Sequence, residues 1–294
     1  MKILVDDNAG FCWGVVQTID KVEQILSEKS VQNCCVLGEI IHNPHEIKRL
    51  EKKKLVTIEH EDLAKVDPNT TTVIIRAHGE PPETYNILKK LKIPFVDATC
   101  PLVKKLQELV ESYYKDGWQI VIYGKYEHAE VIGLRGVCRN ECCVGKTLEE
   151  LKSKIDFSKK TMLCSQTTMD TAGLLSIKKY IEEHLEIELA SNFIFKNTIC
   201  KFVTSREKKL REFAKNNEMI IFVAGHNSSN GKVLFRICQE ANKNTIFIED
   251  STDIDLEEIK NFNNIGITGA TSTPKWFLEK IKKELEMRLF EPQE

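Results

Sequence analysis

The chain has 294 residues, 41% of them apolar and 29% charged, which is ordinary for a soluble globular protein and enough for one large core or two to three smaller ones. A formal net charge of −2 gives no general basic field, which argues against nucleic acid or an anionic membrane as partner and requires any anion to be bound locally. No signal-peptide apolar segment follows Met1 and no apolar run approaches the ~18 to 20 residues that cross a bilayer. The expectation is a cytoplasmic protein whose ten cysteines serve packing, metal ligation or thiol chemistry rather than a disulfide framework.

From the N-terminus, Ile3-Leu-Val reads as a buried strand that runs through Asp6 to a small-residue turn ending in Gly10-Phe-Cys12. The apolar spacing Val16, Ile19, Val22, Ile25 predicts a helix after that cysteine. Next come a strand from Cys34 to Gly38, a loop containing His42-Asn-Pro-His-Glu46, a short helix over 46–53, a strand over 55–58, a helix around Leu63 and a strand over 71–75. That strand ends in Arg76-Ala-His78-Gly, and the paired prolines 81 and 82 open a helix over 83–91. Phe95-Val-Asp-Ala-Thr-Cys100 then repeats the N-terminal plan of strand, small-residue turn and cysteine.

A helix through Leu102, Leu106 and Val110 leads to a strand ending at Gly124, and His128 stands four residues past that glycine as His42 stands four past Gly38. Strands follow at 142–144 and 161–164, the second ending in Ser165-Gln-Thr-Thr168, and then a helix over 174–183. Phe193-Ile-Phe-Lys-Asn-Thr-Ile-Cys200 is the third copy of the cysteine plan. Beyond it lie a charged helix over 204–216, a strand ending at Gly225, Ser229 four residues further, strands at 245–248 and 265–268, the turn Gly269-Ala-Thr-Ser272-Thr-Pro274 and a last helix.

The period of about 90 to 100 residues suits a small α/β domain. Three domains are expected, over 1–98, 99–197 and 198–294, each with a parallel sheet because strands and helices alternate. Ligands of open parallel sheets collect beyond the carboxyl ends of the strands, where all the recurring residues fall. A pseudo-threefold (trefoil) arrangement with those ends inward would bring three thiols to one place.

Cys34, Cys35, Cys164 and Cys238 stand in apolar runs and read as packed core residues. Cys138, Cys142 and Cys143 lack a second Cys or His pair at zinc-finger spacing. Cys12, Cys100 and Cys200 each precede a helix, whose N–H groups and dipole favour a thiolate. Soft thiolates select iron–sulfur clusters, zinc or Cu(I), and three protein ligands leave a fourth position open. His60 and His184 lie in charged surroundings and are expected to be solvated, and His45 reads as a helix-start residue. His42, His78 and His128 recur at strand ends and, with Ser and Asn donors and helix N-termini, could cradle phosphate. Gly225-His-Asn-Ser-Ser-Asn-Gly-Lys232 is not a P-loop, because five residues separate its glycines and Val233 stands where a magnesium-binding Ser or Thr belongs.

The set Phe11-Cys12-Trp-Gly, Gly38-Glu-Ile-Ile-His42-Asn-Pro, Arg76-Ala-His78-Gly, Asp97-Ala-Thr-Cys100-Pro, His128-Ala-Glu130, Ser165-Gln-Thr-Thr168, Asn197-Thr-Ile-Cys200, Asn227-Ser-Ser-Asn230 and Ala270-Thr-Ser272-Thr-Pro closely resembles the LytB (IspH) family of 4-hydroxy-3-methylbut-2-enyl diphosphate reductases. The resemblance runs from Cys12 to the final helix, and the chain departs from it at Val203, where a threonine is expected. It implies three α/β domains around a [4Fe–4S] cluster held by Cys12, Cys100 and Cys200, with the substrate's allylic oxygen at the fourth iron.

By the same resemblance Glu130 is the proton source with Thr167 beside it. His42, His78, His128, Thr167, Thr168, Ser228, Ser229, Asn230 and Ser272 would bind the allylic diphosphate. The electrons would come from an external donor such as a ferredoxin or flavodoxin, and the products would be isopentenyl and dimethylallyl diphosphate. Two other classes stand beside this reading: an iron–sulfur hydro-lyase acting on a phosphorylated substrate, which needs no external electrons, and a non-catalytic iron–sulfur redox sensor, which needs no anion cradle.

Overall fold

Every residue of Thr161–Ser165 and of Met219–Val223 is buried, and strands covered on both faces need helices on both sides of their sheet. The computed structural model describes residues 1–28, 32–185 and 192–290. In chain order its elements are β1 (Lys2–Val5), α1 (Trp13–Ser27), β2 (Asn33–Leu37), α2 (Pro44–Glu51), β3 (Leu55–Ile58), β4 (Thr71–Ile75), α3 (Pro82–Lys90), β5 (Phe95–Asp97) and α4 (Pro101–Lys115). They continue with β6 (Gln119–Tyr123), α5 (Ala129–Val137), β7 (Cys143–Gly145), α6 (Leu148–Lys152), β8 (Thr161–Ser165), α7 (Thr171–His184) and β9 (Phe193–Phe195). The last are α8 (Lys201–Lys215), β10 (Met219–Val223), α9 (Ser229–Ala241), β11 (Thr245–Ile248), α10 (Leu256–Ile259), β12 (Asn264–Gly269) and α11 (Lys275–Phe290).

The strands form three four-stranded, wholly parallel sheets, in the orders β3-β2-β4-β5, β7-β6-β8-β9 and β11-β10-β12-β1. Written from the same edge, the three orders are one pattern. In each sheet the edge strand beside β4, β8 or β12 is the one that leads into a cysteine. The third sheet takes that strand from the N-terminus: Lys2 pairs with Asn264 and Val5 with Ile267. The expected third over 1–98 counts β1 with the first sheet, whereas its hydrogen bonds place it in the third. Alternation of strand and helix gives the period but not the phase, because a repeat that starts mid-unit has the same spacing.

Two compact bodies contain these sheets. Gln17–Ile40 and Lys53–Cys200 make one, with the first and second sheets; Met1–Val16, Ile41–Lys52 and Lys201–Glu294 make the other, with the third. The second sheet packs Leu106 and Val110 of α4 and Val131 and Leu134 of α5 on one face, and Leu151, Leu174, Ile177 and Ile181 of α6 and α7 on the other. The third is covered by Phe277, Leu278, Ile281 and Leu285 of α11 on one side and by Leu210, Leu234 and Cys238 of α8 and α9 on the other. Each such fully buried side chain contributes roughly 1.5–3 kcal/mol through the hydrophobic effect.

A buried ion pair ties β1 into that third sheet. Arg206 Nη2 on α8 donates to Asp6 Oδ2 at 2.7 Å and to Thr268 Oγ1 at 2.8 Å, and Thr268 Oγ1 donates to Asp6 Oδ2 at 2.9 Å. The helix expected around Leu63 is a 3-10 turn, His60–Lys65, and α6 was not foreseen. Pro82 occupies the first turn of α3, as the paired prolines predict. Among the described residues no helix is long and apolar enough to cross a membrane.

Candidate functional site

Each of the three strand-end cysteines is fixed by the same backbone hydrogen bond. Cys12 N–H donates to Thr271 O at 3.0 Å, Cys100 N–H to Ala77 O at 2.9 Å and Cys200 N–H to Thr167 O at 2.8 Å. The acceptor is in every case the second residue past the adjacent strand, β12, β4 or β8. Among the described residues none of the three is in a disulfide, all are partly exposed, and α1, α4 and α8 begin at the residue after each. Burial pushes the Cys100 thiol up from its ordinary pKa, and nearby Cys200 and Glu130 add to this, while the amides of Leu102 and Val103 pull it down. A thiol that resists ionising by itself needs a cation to become a thiolate. Three soft donors at helix starts therefore fit an iron–sulfur group.

In the body that holds the first two sheets, Glu130 is 1% exposed on the first turn of α5. Its Oε1 accepts from Thr167 N at 2.7 Å and its Oε2 from Thr167 Oγ1 at 2.7 Å. Burial pushes the carboxyl up to about 7 against the opposing pull of those two bonds. His128 caps α5, its Nδ1 accepting from Glu130 N at 3.2 Å. An N–H can only donate, so Nδ1 carries no hydrogen and Nε2 does. The His78 ring meets the His128 ring edge-on, with centroids 5.4 Å apart. Thr168 Oγ1 accepts from Gln166 Nε2 at 2.9 Å, and Gln166 Oε1 accepts from Lys125 N at 3.1 Å.

In the other body, Asn230 holds on α9 the place that Glu130 holds on α5, the second residue of the helix. Its Oδ1 accepts from Thr271 N at 2.9 Å and from Thr271 Oγ1 at 2.7 Å. Because the Thr271 amide can only donate, the carboxamide cannot be flipped, and its buried Nδ2 has no partner among the described residues. Ser228 caps α9, its Oγ accepting from Gly231 N at 3.0 Å and lying 3.4 Å from Ser272 Oγ. Ser272 Oγ donates to His42 O at 3.4 Å, and Ser229 is buried at the start of α9. A Cβ on Gly225 would sit 2.9 Å from His42 O, so this approach of the two loops requires glycine.

The core cysteines Cys34, Cys164 and Cys238 are buried, and Cys35 is half-buried. Cys138 and Cys142 lie in the loop between α5 and β7, and Cys143 is the first residue of β7. His45 is the second residue of α2 and stacks on Phe277 at 3.8 Å. His60, expected to be solvated, is half-exposed and bonds the buried Glu80 at 2.7 Å. Sequence reasoning passed over Glu80, which also lies 2.9 Å from Arg76 Nε and so straddles the His78 loop. It also gave no role to Thr271. The signal for Thr271 was available: a threonine two residues past the end of β12, as Thr167 is past β8.

Residues 3–286 match the family model described as LytB protein. A relative from Chloroherpeton thalassium, named 4-hydroxy-3-methylbut-2-enyl diphosphate reductase, is 42% identical over 307 aligned positions, covering 97% of this chain and 96% of that protein. One of the same name from Bacteroides fragilis is 41% identical, covering 98% of this chain and 99% of the relative. Two solved structures are similar over nearly the whole chain. The E-1-hydroxy-2-methyl-but-2-enyl-4-diphosphate reductase from Plasmodium falciparum superposes with a TM-score of 0.84 at 28% identity, over 98% of this chain and 89% of that one. An (E)-4-hydroxy-3-methyl-but-2-enyl diphosphate reductase, described as the terminal enzyme of the non-mevalonate pathway, gives 0.71 at 30% identity, over 97% and 99%.

Proposed function

The chain belongs to the LytB family and reduces 4-hydroxy-3-methylbut-2-enyl diphosphate, and from that premise we propose how its own residues carry the reaction. The allylic C–O bond is replaced by C–H and the hydroxyl leaves as water, with two electrons and two protons consumed, giving isopentenyl and dimethylallyl diphosphate. Cys12, Cys100 and Cys200 would hold a [4Fe–4S] cluster. When bound, that group supplies one-electron steps and Lewis acidity toward a poor leaving group.

Glu130 holds the proton. Its Oε1 is committed to the Thr167 amide, so the proton sits on Oε2 and passes through Thr167 Oγ1 to the departing hydroxyl. His128 Nε2, Asn230 Nδ2 and the hydroxyls of Ser228 and Ser272 would donate to the diphosphate, and His42, His78, Thr168 and Ser229 would supply its further contacts. Helix starts at α5 and α9 add their dipoles, so the anion is held without lysine or arginine.

The observation that carries this reading is the position of Thr167. Its carbonyl fixes Cys200 while its amide and hydroxyl hold Glu130, so one residue joins a thiol ligand to a proton source. Anaerobic turnover of the hydroxy-diphosphate with dithionite tests it. The expected result is two electrons consumed per product formed; product formed without electron consumption makes the protein a hydro-lyase and overturns the assignment.

A further inference from the structure

The chain exposes two large aromatic side chains beside two of the cysteines. Trp13 follows Cys12 and is 45% exposed; Phe202, two residues after Cys200, is 44% exposed. Their rings lie nearly parallel, 14° apart with centroids at 6.4 Å, and Val16, 37% exposed, is one helical turn along α1 from Trp13. Neither ring belongs to the polar cradle assigned to the diphosphate. Exposed aromatics grouped in this way are costly in water and are characteristic of interface cores.

Lysines stand around them. Lys201, Lys208 and Lys209 are exposed on α8, and among the described residues none makes an ion pair. Lys209 Nζ reaches Asn8 Oδ1 at 3.0 Å, in the turn that carries Cys12. Lys275 is half-exposed against the same turn, its Cβ 3.6 Å from where a Cβ on Gly10 would be, and Asp7 lies 3.8 Å from its Nζ. Over 201–209 the chain carries Lys201, Arg206, Lys208 and Lys209 against Glu207, a local excess of positive charge in a chain of net charge −2.

We propose that the Trp13–Phe202 patch with Lys201, Lys208 and Lys209 is the docking surface for an acidic one-electron carrier protein of the ferredoxin or flavodoxin class. The inference rests on the reductase reading, which needs two electrons from outside the chain. Each encounter oxidises one reduced carrier by one electron, and two encounters supply the pair that, with two protons, exchanges C–O for C–H and water. Trp13 is bonded to Cys12 and Phe202 stands two residues after Cys200, so the patch lies close along the chain to two of the assigned ligands. Lysines around an apolar centre select an acidic partner and speed its approach more than they tighten its hold, as fits a carrier that must leave after each electron.

The test compares two reductants on the loaded enzyme, dithionite and a reduced acidic [2Fe–2S] ferredoxin, and adds a binding measurement on the same protein through Trp13 fluorescence. The Lys201→Glu/Lys209→Glu double variant is expected to raise the KM for ferredoxin at least ten-fold, to abolish most of its dependence on ionic strength and to weaken binding by the same factor. Trp13→Ala and Phe202→Ala are expected to slow ferredoxin-driven turnover three- to ten-fold. Dithionite-driven turnover should be parental in all of them, which also shows that they fold and load. Parental KM and salt dependence with ferredoxin overturn the proposal, as does the lack of any saturable ferredoxin-driven turnover in the parent. A change of oligomeric state in Trp13→Ala or Phe202→Ala with ferredoxin kinetics intact makes the patch a self-association surface and also overturns it. Loss of dithionite turnover in the parent, by contrast, would strike the reductase reading itself.

Discussion

Thr167 donates to both oxygens of Glu130, through its amide to Oε1 and its hydroxyl to Oε2, each at 2.7 Å. The two donors differ in kind. An amide cannot reverse, whereas a hydroxyl can accept as well as donate. When Glu130 is protonated, its hydrogen therefore faces Thr167 Oγ1, and the hydroxyl turns its own hydrogen outward.

Glu130→Gln keeps the size and both hydrogen-bonding positions but has no acidic proton. Turnover is expected to fall ~10²- to 10⁴-fold, the usual worth of general-acid assistance, with substrate affinity and visible spectrum unchanged. In the parent the acid is active only when protonated, so kcat/KM should decline as pH rises through about 7. A flat profile across that range, or parental turnover in Glu130→Gln, would remove Glu130 from the reaction.

The same burial makes a stability prediction. The Glu130 pKa is raised from 4.5 to about 7 in the folded state, so its contribution is fully present below the unfolded value and is lost as pH rises through the folded one. The loss across that window is on the order of 3 kcal/mol. Thermal unfolding of cofactor-free protein should therefore show Glu130→Gln melting above the parent at pH 8, the gap closing toward pH 5. Equal melting temperatures at pH 8 would mean that the carboxylate is not penalised where it sits.

What was legible in the sequence follows from which signals are local. A β-branched run ended by Asp or Asn, a small residue and a cysteine marks a strand end from the chain alone, and β1, β5 and β9 each stop where that plan says. Pro82 announced α3 because proline suits the first turn of a helix and little else in that context. The place of Thr271 two residues past a strand was legible, but its partner Cys12 was not, since that depends on which strand lies next to β1, and sheet order is a property of non-local pairing. His60 was legible only in part for the same reason: its charged sequence neighbours suggest solvent, and it is half-exposed, but Glu80, 20 residues on, is the group it meets. The equivalence of Asn230 with Glu130 emerges only from seeing that each holds a threonine amide at a strand end.

The three thiols predict a spectroscopic result. Anaerobically prepared protein should be brown with about three to four irons per chain, and Cys12→Ser, Cys100→Ser and Cys200→Ser should each bleach it. Cys34→Ser and Cys238→Ser should keep the colour, because Cys34 lies buried inside β2 and Cys238 packs in the core from within α9, neither at a strand end that leads into a helix. Stoichiometric zinc without visible absorption would sink the cluster assignment.

Asn230 separates binding from proton transfer. With Oδ1 locked to Thr271, only Nδ2 can face an anion, and a bond to a charged group is worth ~1.5 to 3 kcal/mol. Asn230→Ala should weaken substrate and inorganic diphosphate by roughly 10- to 150-fold. Asn230→Asp should weaken them further, since it turns a donor into a like charge. Calorimetric titration with diphosphate reads both; parental affinity in either variant would put the cradle elsewhere.

Asp6→Ala tests the frame rather than the chemistry. Asp6 and Arg206 are 1% and 6% exposed, and removing one partner of a buried pair costs about 3–5 kcal/mol because the other charge is stranded. A denaturation midpoint close to that of the parent would show that Arg206 finds water or another partner.

The pairing of Lys2 with Asn264 sets an order on synthesis. The strand made first cannot find its place until nearly the whole chain has left the ribosome, and the amide of Cys12 meets the Thr271 carbonyl later still. Domains fold as units while they emerge, so the first two sheets can assemble on the nascent chain with Cys100 already set in its turn. Cys12 must wait, unprotected, through the translation of everything between. Completion of the thiol set thus waits for β12 and its turn, and a chain stalled before β12 exposes Cys12 to oxidation instead of to iron.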